Sequence, residues 1–281
     1  MRQLTNSNND DVFVFDSMSD LTSFVDPNRF QSRERSFVGR KLDSWDDAYE
    51  AAHTEWAEGI EIVERFVKEL EDVSIPELRS HKRRVKFNED DGDELDYDKL
   101  LAGNMQFWRK SEREASTGST EVTIFVDCGA NASVSSRDIL WRGAAGIALT
   151  KILEEKGYKV ELWMTNTTAG LYRKEDKRVT TLCRMKACSD PLDVSTLTNE
   201  VSGWFFRSTL FALYWTMCAH VGKRPNSSLG HQTIARQSDL DLVSQDDLRI
   251  YSAGVFTFDA AADMIRRELT RICEMSTFES N

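Results

Sequence analysis

Asp127 is the residue whose position most resembles a place where chemistry is done. It closes a run, Val122, Ile124, Phe125 and Val126, whose β-branched and aromatic side chains specify a strand buried on both faces of a parallel sheet. Apolar residues then recur at helical spacing at Trp141, Ala145, Ala148, Leu149 and Ile152, with Gly157 at a C-cap position and a second apolar strand over residues 158–164. Strand, helix and strand of this length form a right-handed βαβ unit, and open α/β sheets build their sites beyond the carboxyl ends of the strands. The Asp127 carboxylate therefore stands in the site position, where it can also cap loop amides. Cys128 follows it, but a thiolate nucleophile needs a neighbouring base, and the sequence places no histidine there.

A second chemistry-bearing stretch is the sharpest charge shift in the chain. Arg79, His81, Lys82, Arg83, Arg84 and Lys86 precede Glu89, Asp90, Asp91, Asp93, Glu94, Asp96 and Asp98. Lys82, Arg83, Arg84 and Lys86, with Phe87, Phe107 and Trp108 nearby, are suited to contacting phosphates and stacking bases of a single strand. Pairing of the basic half with the acidic half is the blander reading. A turn at Asp91-Gly92 is expected to join strands at 84–88 and 94–97. The acidic half lacks the ligand register of a calcium loop.

No GxxxxGK[ST], GxGxxG after a strand, HExxH or serine-elbow motif occurs. The five cysteines are odd in number and have no CxxC spacing, which argues against a disulfide scaffold or a zinc site and for reduced, buried thiols. A formal charge of −11 disfavours nonspecific adhesion to nucleic acid or anionic membrane. It leaves room for a local basic patch.

The elements that must position these residues are legible in outline. Residues 1–11 are polar and read as a mobile arm, with a short strand at 12–15 and a helical turn within 21–30 serving as lid or edge. Ser44 and Asp47 have capping-box spacing, and a stripe from Trp45 to Leu70 predicts one helix with Gly59 at a bend or close contact. Residues 112–120 read as a linker, 179–187 as an edge strand, and 201–221 as the most apolar helix. Arg207 and His220 mark that helix as buried in protein rather than membrane-spanning. Residues 222–245 read as a partner-binding loop carrying Lys223, Arg224, His231 and Arg236. A last strand at 248–255 and a helix capped by Asp259 complete the chain.

The strand, loop and helix around Asp127 resemble a von Willebrand factor A domain, in which an Asp-x-Ser-x-Ser loop helps hold a divalent metal. Asp127, Gly129 and Asn131 stand at those positions here. The resemblance implies a degenerate Mg²⁺ site drawing on Asp127, Asn131, Ser133 and Thr168, with Ser135 and Ser136 as substitutes or helix caps. Four stretches, SWDDAYEAAHTEWAEG, VKFNEDDGDELDYDKLLAGNMQFW, RGAAGIALTKILEEKGYKVELW and VFTFDAAADMIRRELTRI, resemble a von Willebrand A-like family of tailed bacteriophages and some bacteria. Several implications follow from the resemblance. The fold is expected to be α/β, a three-layer, mostly parallel open sheet of Rossmann type with a helical and hairpin N-terminal extension. The expected divisions are an arm at 1–36, an extension at 37–118 and the α/β domain at 119–281. The expected role is a phage-encoded, non-enzymatic adaptor in the host cytoplasm that recruits another protein, an AAA-type ATPase among the candidates, with no membrane partner. The alternative is a single-stranded-DNA-associated factor that recruits a polymerase in phage transcription or replication.

Overall fold

The structure is a computed structural model that describes residues 1–70, 84–88, 94–95, 99–100, 107–112, 121–245 and 248–278. Lys82, Arg83, the Asp91-Gly92 turn and nearly all of the expected linker lie outside the described residues. The chain divides into two compact units, one formed by Met1–Pro76 with Glu121–Asn281, the other by Glu77–Thr120. The first 76 residues belong with the α/β sheet.

In chain order the strands of the large unit are β1 (Arg2–Thr5) and β2 (Asp11–Phe15); those of the small unit are β3 (Arg84–Asn88), β4 (Glu94–Leu95) and β5 (Trp108–Glu112). The large unit resumes with β6 (Glu121–Asp127), β7 (Lys159–Ala169), β8 (Arg178–Lys186), β9 (His231–Thr233) and β10 (Arg249–Ser252). Its sheet runs β1-β2-β8-β7-β6-β10, with β9 paired to the end of β7. The β10, β6 and β7 strands are parallel to one another, and β2 is parallel to β8, whereas β8 is antiparallel to β7 and β1 to β2. The fold is mixed α/β with a parallel centre.

Residues 179–187 do not form an edge, because β2 hydrogen-bonds to the outer side of β8 from Asp11↔Val179 to Phe15↔Cys183. Val12, Phe13, Val14 and Phe15 are fully buried as a result. Nor are residues 1–11 a loose arm. Asn6 ties the turn before β2 by accepting from the amides of Asn8 and Asp10 and donating to the Asp239 carboxylate at 2.5 Å.

The helices are α1 (Met18–Phe24), α2 (Arg35–Val38), α3 (Trp45–Ala52), α4 (Ala57–Glu69), α5 (Ser136–Glu155), α6 (Val194–Glu200), α7 (Gly203–Phe205), α8 (Phe211–His220), α9 (Gln237–Leu240) and α10 (Phe258–Phe278). The capping box forms as its spacing predicts, Ser44 and Asp47 each bonding the other's backbone. The expected single helix breaks into α3 and α4, however, and Asn199 Nδ2 donates to the Thr54 carbonyl in the break at 2.6 Å. Gly59 makes a close contact, its missing side chain leaving room for Trp56 and Thr198. The apolar stretch 201–221 is likewise not one helix: Ser202 caps α7, and Phe206–Leu210 form a π turn before α8. No helix among the described residues is long and apolar enough to cross a membrane.

Helix α5 packs on the sheet face carrying Ile124 and Val126, so closely that a Cβ on Gly146 would collide with Val126. Side chains alternate along a strand, so Phe125 points to the other face. There it joins Val12, Val14, Trp163 and Leu182 in a core closed by Ala235 and Leu240, with half-buried Leu4, Leu242, Val243 and Tyr251 at its margin. The four-residue α9 and its flanking chain thus cover this face. A full third layer of helices is absent among the described residues, and residues 222–245, expected to be a partner-binding loop, do this covering in part.

In the small unit the sheet order is β3-β5-β4. The expected direct pairing of residues 84–88 with 94–97 does not occur, because β5 lies between them and pairs with both.

Candidate functional site

β6 has β7 on one side and β10 on the other, both parallel to it. In open parallel sheets sites lie beyond the carboxyl ends of the strands. Asp127 and residues 128–135 occupy that point. A second loop, residues 253–257, follows β10 beside it.

Two arginines shape the first loop. Arg142, on α5, places Nη1 2.7 Å from Asp127 Oδ2 and donates through Nη2 to the Gly129 carbonyl. The Gly129 amide donates to Asp127 Oδ1 at 3.1 Å. Both side chains are almost wholly buried, 2% and 7% exposed. Burial pushes the Asp127 carboxyl above its ordinary range, opposed by the Arg142 charge and the Gly129 amide. The Arg142 guanidinium also lies 4.7 Å from the ring centre of Phe256 and so links the two loops.

Arg207 holds the same loop farther along. It sits in the π turn, a local geometry often found at functional positions. Its Nη1 donates to the Phe37 carbonyl at 2.6 Å, and its Nη2 donates to the carbonyls of Val134 and, at 3.4 Å, Asn131. The guanidinium covers the Phe37 ring at 4.2 Å. Burial lowers its pKa, and among the described residues it forms no ion pair. Between the two clamps Asn131, Ala132 and Ser133 remain exposed.

Beneath the loop lies a buried polar group. Tyr214 donates its hydroxyl to Asn166 Oδ1, and burial raises the Tyr214 pKa. Gly129 packs against this group, since a Cβ there would collide with Gln232 Oε1 and lie 3.2 Å from Asn166 Oδ1. Asn166 Nδ2, Gln232 Oε1 and Arg142 Nε have no hydrogen-bond partner among the described residues.

The four expected metal ligands have the following surroundings. Both Asp127 oxygens are engaged; Asn131 lends its carbonyl to Arg207 and Val134; Ser133 is exposed. Thr168 donates to the Leu229 carbonyl at 2.9 Å and the His231 carbonyl at 3.3 Å, and it lies three residues past Thr165, the register partner of Asp127. Ser135 caps α5 by accepting from the Asp138 amide at 3.1 Å. Among the described residues no group of three or more His, Cys, Asp or Glu is gathered in one place. At Asp127 the neighbouring cation is the Arg142 guanidinium, which pairs with the carboxylate.

In the sequence Arg142 is legible only as an arginine within the apolar helix, fifteen residues after Asp127, and Arg207 only as an argument against a membrane span. Glu200, at the end of α6, carries no sequence signal. It is buried with Oε2 unpartnered among the described residues, and burial pushes its carboxyl up to about 8. The thiols are not activated: burial raises Cys128 and Cys183, and pushes Cys218 up to about 12.

In the small unit, register sets Arg84 opposite Glu112, Lys86 opposite Lys110, Phe87 opposite Arg109, and Asn88 opposite Trp108. The expected basic and aromatic residues within the described part thus occupy two neighbouring strands, joined by Arg109 and Lys110. Of the second basic set, Arg236 pairs with Asp10 at 2.7 Å, and His231 lies in β9.

Residues 6–270 match the family model described as a domain of unknown function (DUF7192). No curated protein and no solved structure matches the chain.

Proposed function

Since the chain belongs to the DUF7192 family, whose description assigns no activity, we propose from the geometry that it is a non-enzymatic recruitment domain. Its docking surface is the rim formed by Asn131–Ser133 and the loop after β10. The observation that carries this reading is the double clamp: two buried arginines fix a short exposed loop at the carboxyl end of a parallel strand. Preorganisation of this kind lowers the ordering cost of binding. The von Willebrand A-like resemblance supports the same face, with Arg142 in place of magnesium. It also supports a phage-encoded adaptor in the host cytoplasm, with an AAA-type ATPase as one candidate partner.

A specific observation favours a second reading. The register of β3 and β5 puts the positions of Arg84, Lys86, Lys110 and Trp108 on one face and those of Phe87 and Arg109 on the other, a composition suited to single-stranded DNA and to a factor that recruits a polymerase. Affinity capture with the full chain, repeated with nuclease and with EDTA, separates the two. The first reading predicts a partner lost with Asn131→Arg/Ser133→Arg and retained under both treatments. Loss with nuclease, or with Lys86→Glu/Lys110→Glu alone, defeats it in favour of the second.

A further inference from the structure

The turn between β7 and β8 and the turn after α8 are locked together. Arg173 donates its amide to the Arg224 carbonyl at 2.8 Å, Asn226 donates to the Leu171 carbonyl at 2.6 Å, and Tyr172 bridges Pro225. The two turns enclose a concavity of about 380 Å³ lined by Arg173, Lys174, Glu175, Gly222, Lys223 and Arg224. Four of these six residues are cations, in a chain whose net charge is −11. Arg173, Lys174 and Arg224 are exposed. Lys223 is half-buried over the Tyr172 ring at 4.1 Å and is bonded to Glu175 at 2.6 Å, with Asp11 3.8 Å away. Asp11 in turn pairs with Lys177 at 3.0 Å. Among the described residues Glu175 is therefore the one acid lining the concavity. Lys174 holds its backbone at φ 69°, a left-handed conformation that a non-glycine residue keeps only when its surroundings impose it.

We propose that this concavity is a binding site for the polyphosphate group of a small molecule. Guanidinium forks match phosphate oxygens in pairs, and two ammonium groups add charge without demanding one geometry. The volume is that of a small-ligand site. The Tyr172 ring is buried beneath Lys223, so among the described residues no exposed aromatic face lines the concavity for a base to stack on. Recognition therefore rests on the phosphates, and inorganic and nucleotide polyphosphates share the required chemistry. Lys223 is held in reserve by Glu175 and can be released to an incoming anion.

Isothermal titration of the full chain with tripolyphosphate, ATP and AMP tests the site. Saturable tripolyphosphate binding is expected, with AMP much weaker; comparable ATP and tripolyphosphate affinities point to the phosphates alone, and tighter ATP to a nucleotide. Arg173→Glu/Arg224→Glu should weaken binding by about tenfold or more, the value of lost charge-assisted hydrogen bonds. The charge-matched Lys68→Glu/Arg266→Glu control should leave it unchanged. Glu175→Gln should tighten it by freeing Lys223. Equal losses in pocket and control variants, no saturable binding, or a preference for single-stranded DNA over tripolyphosphate would overturn the assignment.

Discussion

Replacing Glu200 by glutamine tests how far this protein holds a carboxylic acid protonated in its interior. Burial is the leading cause, with Asp193 adding repulsion, and together they raise the carboxyl pKa from 4.5 to about 8. Folded Glu200 therefore keeps its proton at neutral pH, whereas unfolded Glu200 loses it above pH 4.5. The unfolded state binds fewer protons throughout that window, so the stability due to the neutral acid is complete below pH 4.5, declines as pH rises, and is gone above about pH 8. Each tenfold change in proton affinity is worth about 1.4 kcal/mol, so the full change is on the order of 3–5 kcal/mol. Glutamine has nearly the same shape and does not ionise. Urea unfolding at pH 5, 7 and 8.5 should show wild type losing stability relative to Glu200→Gln by that amount, with most of the loss complete by pH 8.5. Parallel pH profiles for the two proteins would refute the reasoning, since they would mean that the folded state lets Glu200 ionise as readily as water does.

Two further outcomes follow from the same physics. Arg142→Met leaves Asp127 buried without its partner and should cost about 3–5 kcal/mol by urea unfolding, while Asp127→Leu/Arg142→Met should recover most of that, because the cost lies in the orphaned charge. Asp47→Ala removes one arm of the capping box and should cost about 1 kcal/mol, measured as a lower Tm.

Structure is legible in the sequence where a segment is governed by its own residues. The βαβ unit follows from the apolar run ending at Asp127 and the helical period after it, and the Ser44 capping box is a four-residue signal that forms as written. The errors lie where a distant partner decides. Residues 179–187 look like an edge strand until β2 pairs with them. In the α3–α4 break the Thr54 carbonyl is taken by Asn199, 145 residues away. The apolar run puts the Asp127 carboxylate at a strand end, but nothing in its spacing reveals that Arg142 turns back to neutralise it. The pairing of β9 with β7, which sets the Thr168 hydroxyl against the Leu229 carbonyl, is equally invisible in the local sequence.

The insertion of β2 beside β8 has a temporal consequence. Asp11 emerges from the ribosome 168 residues before Val179, its register partner, a delay of roughly ten to thirty seconds at ordinary rates of translation. Throughout that delay the segment Asp-Val-Phe-Val-Phe can pair with β1 on one edge, while its other edge has the pattern of an adhesive β-segment with no neighbour to satisfy it. Completion of the β1-β2 side of the sheet must therefore wait for a late-arriving strand, and a nascent-chain chaperone that shields residues 11–15 would affect yield more than one acting on the finished fold.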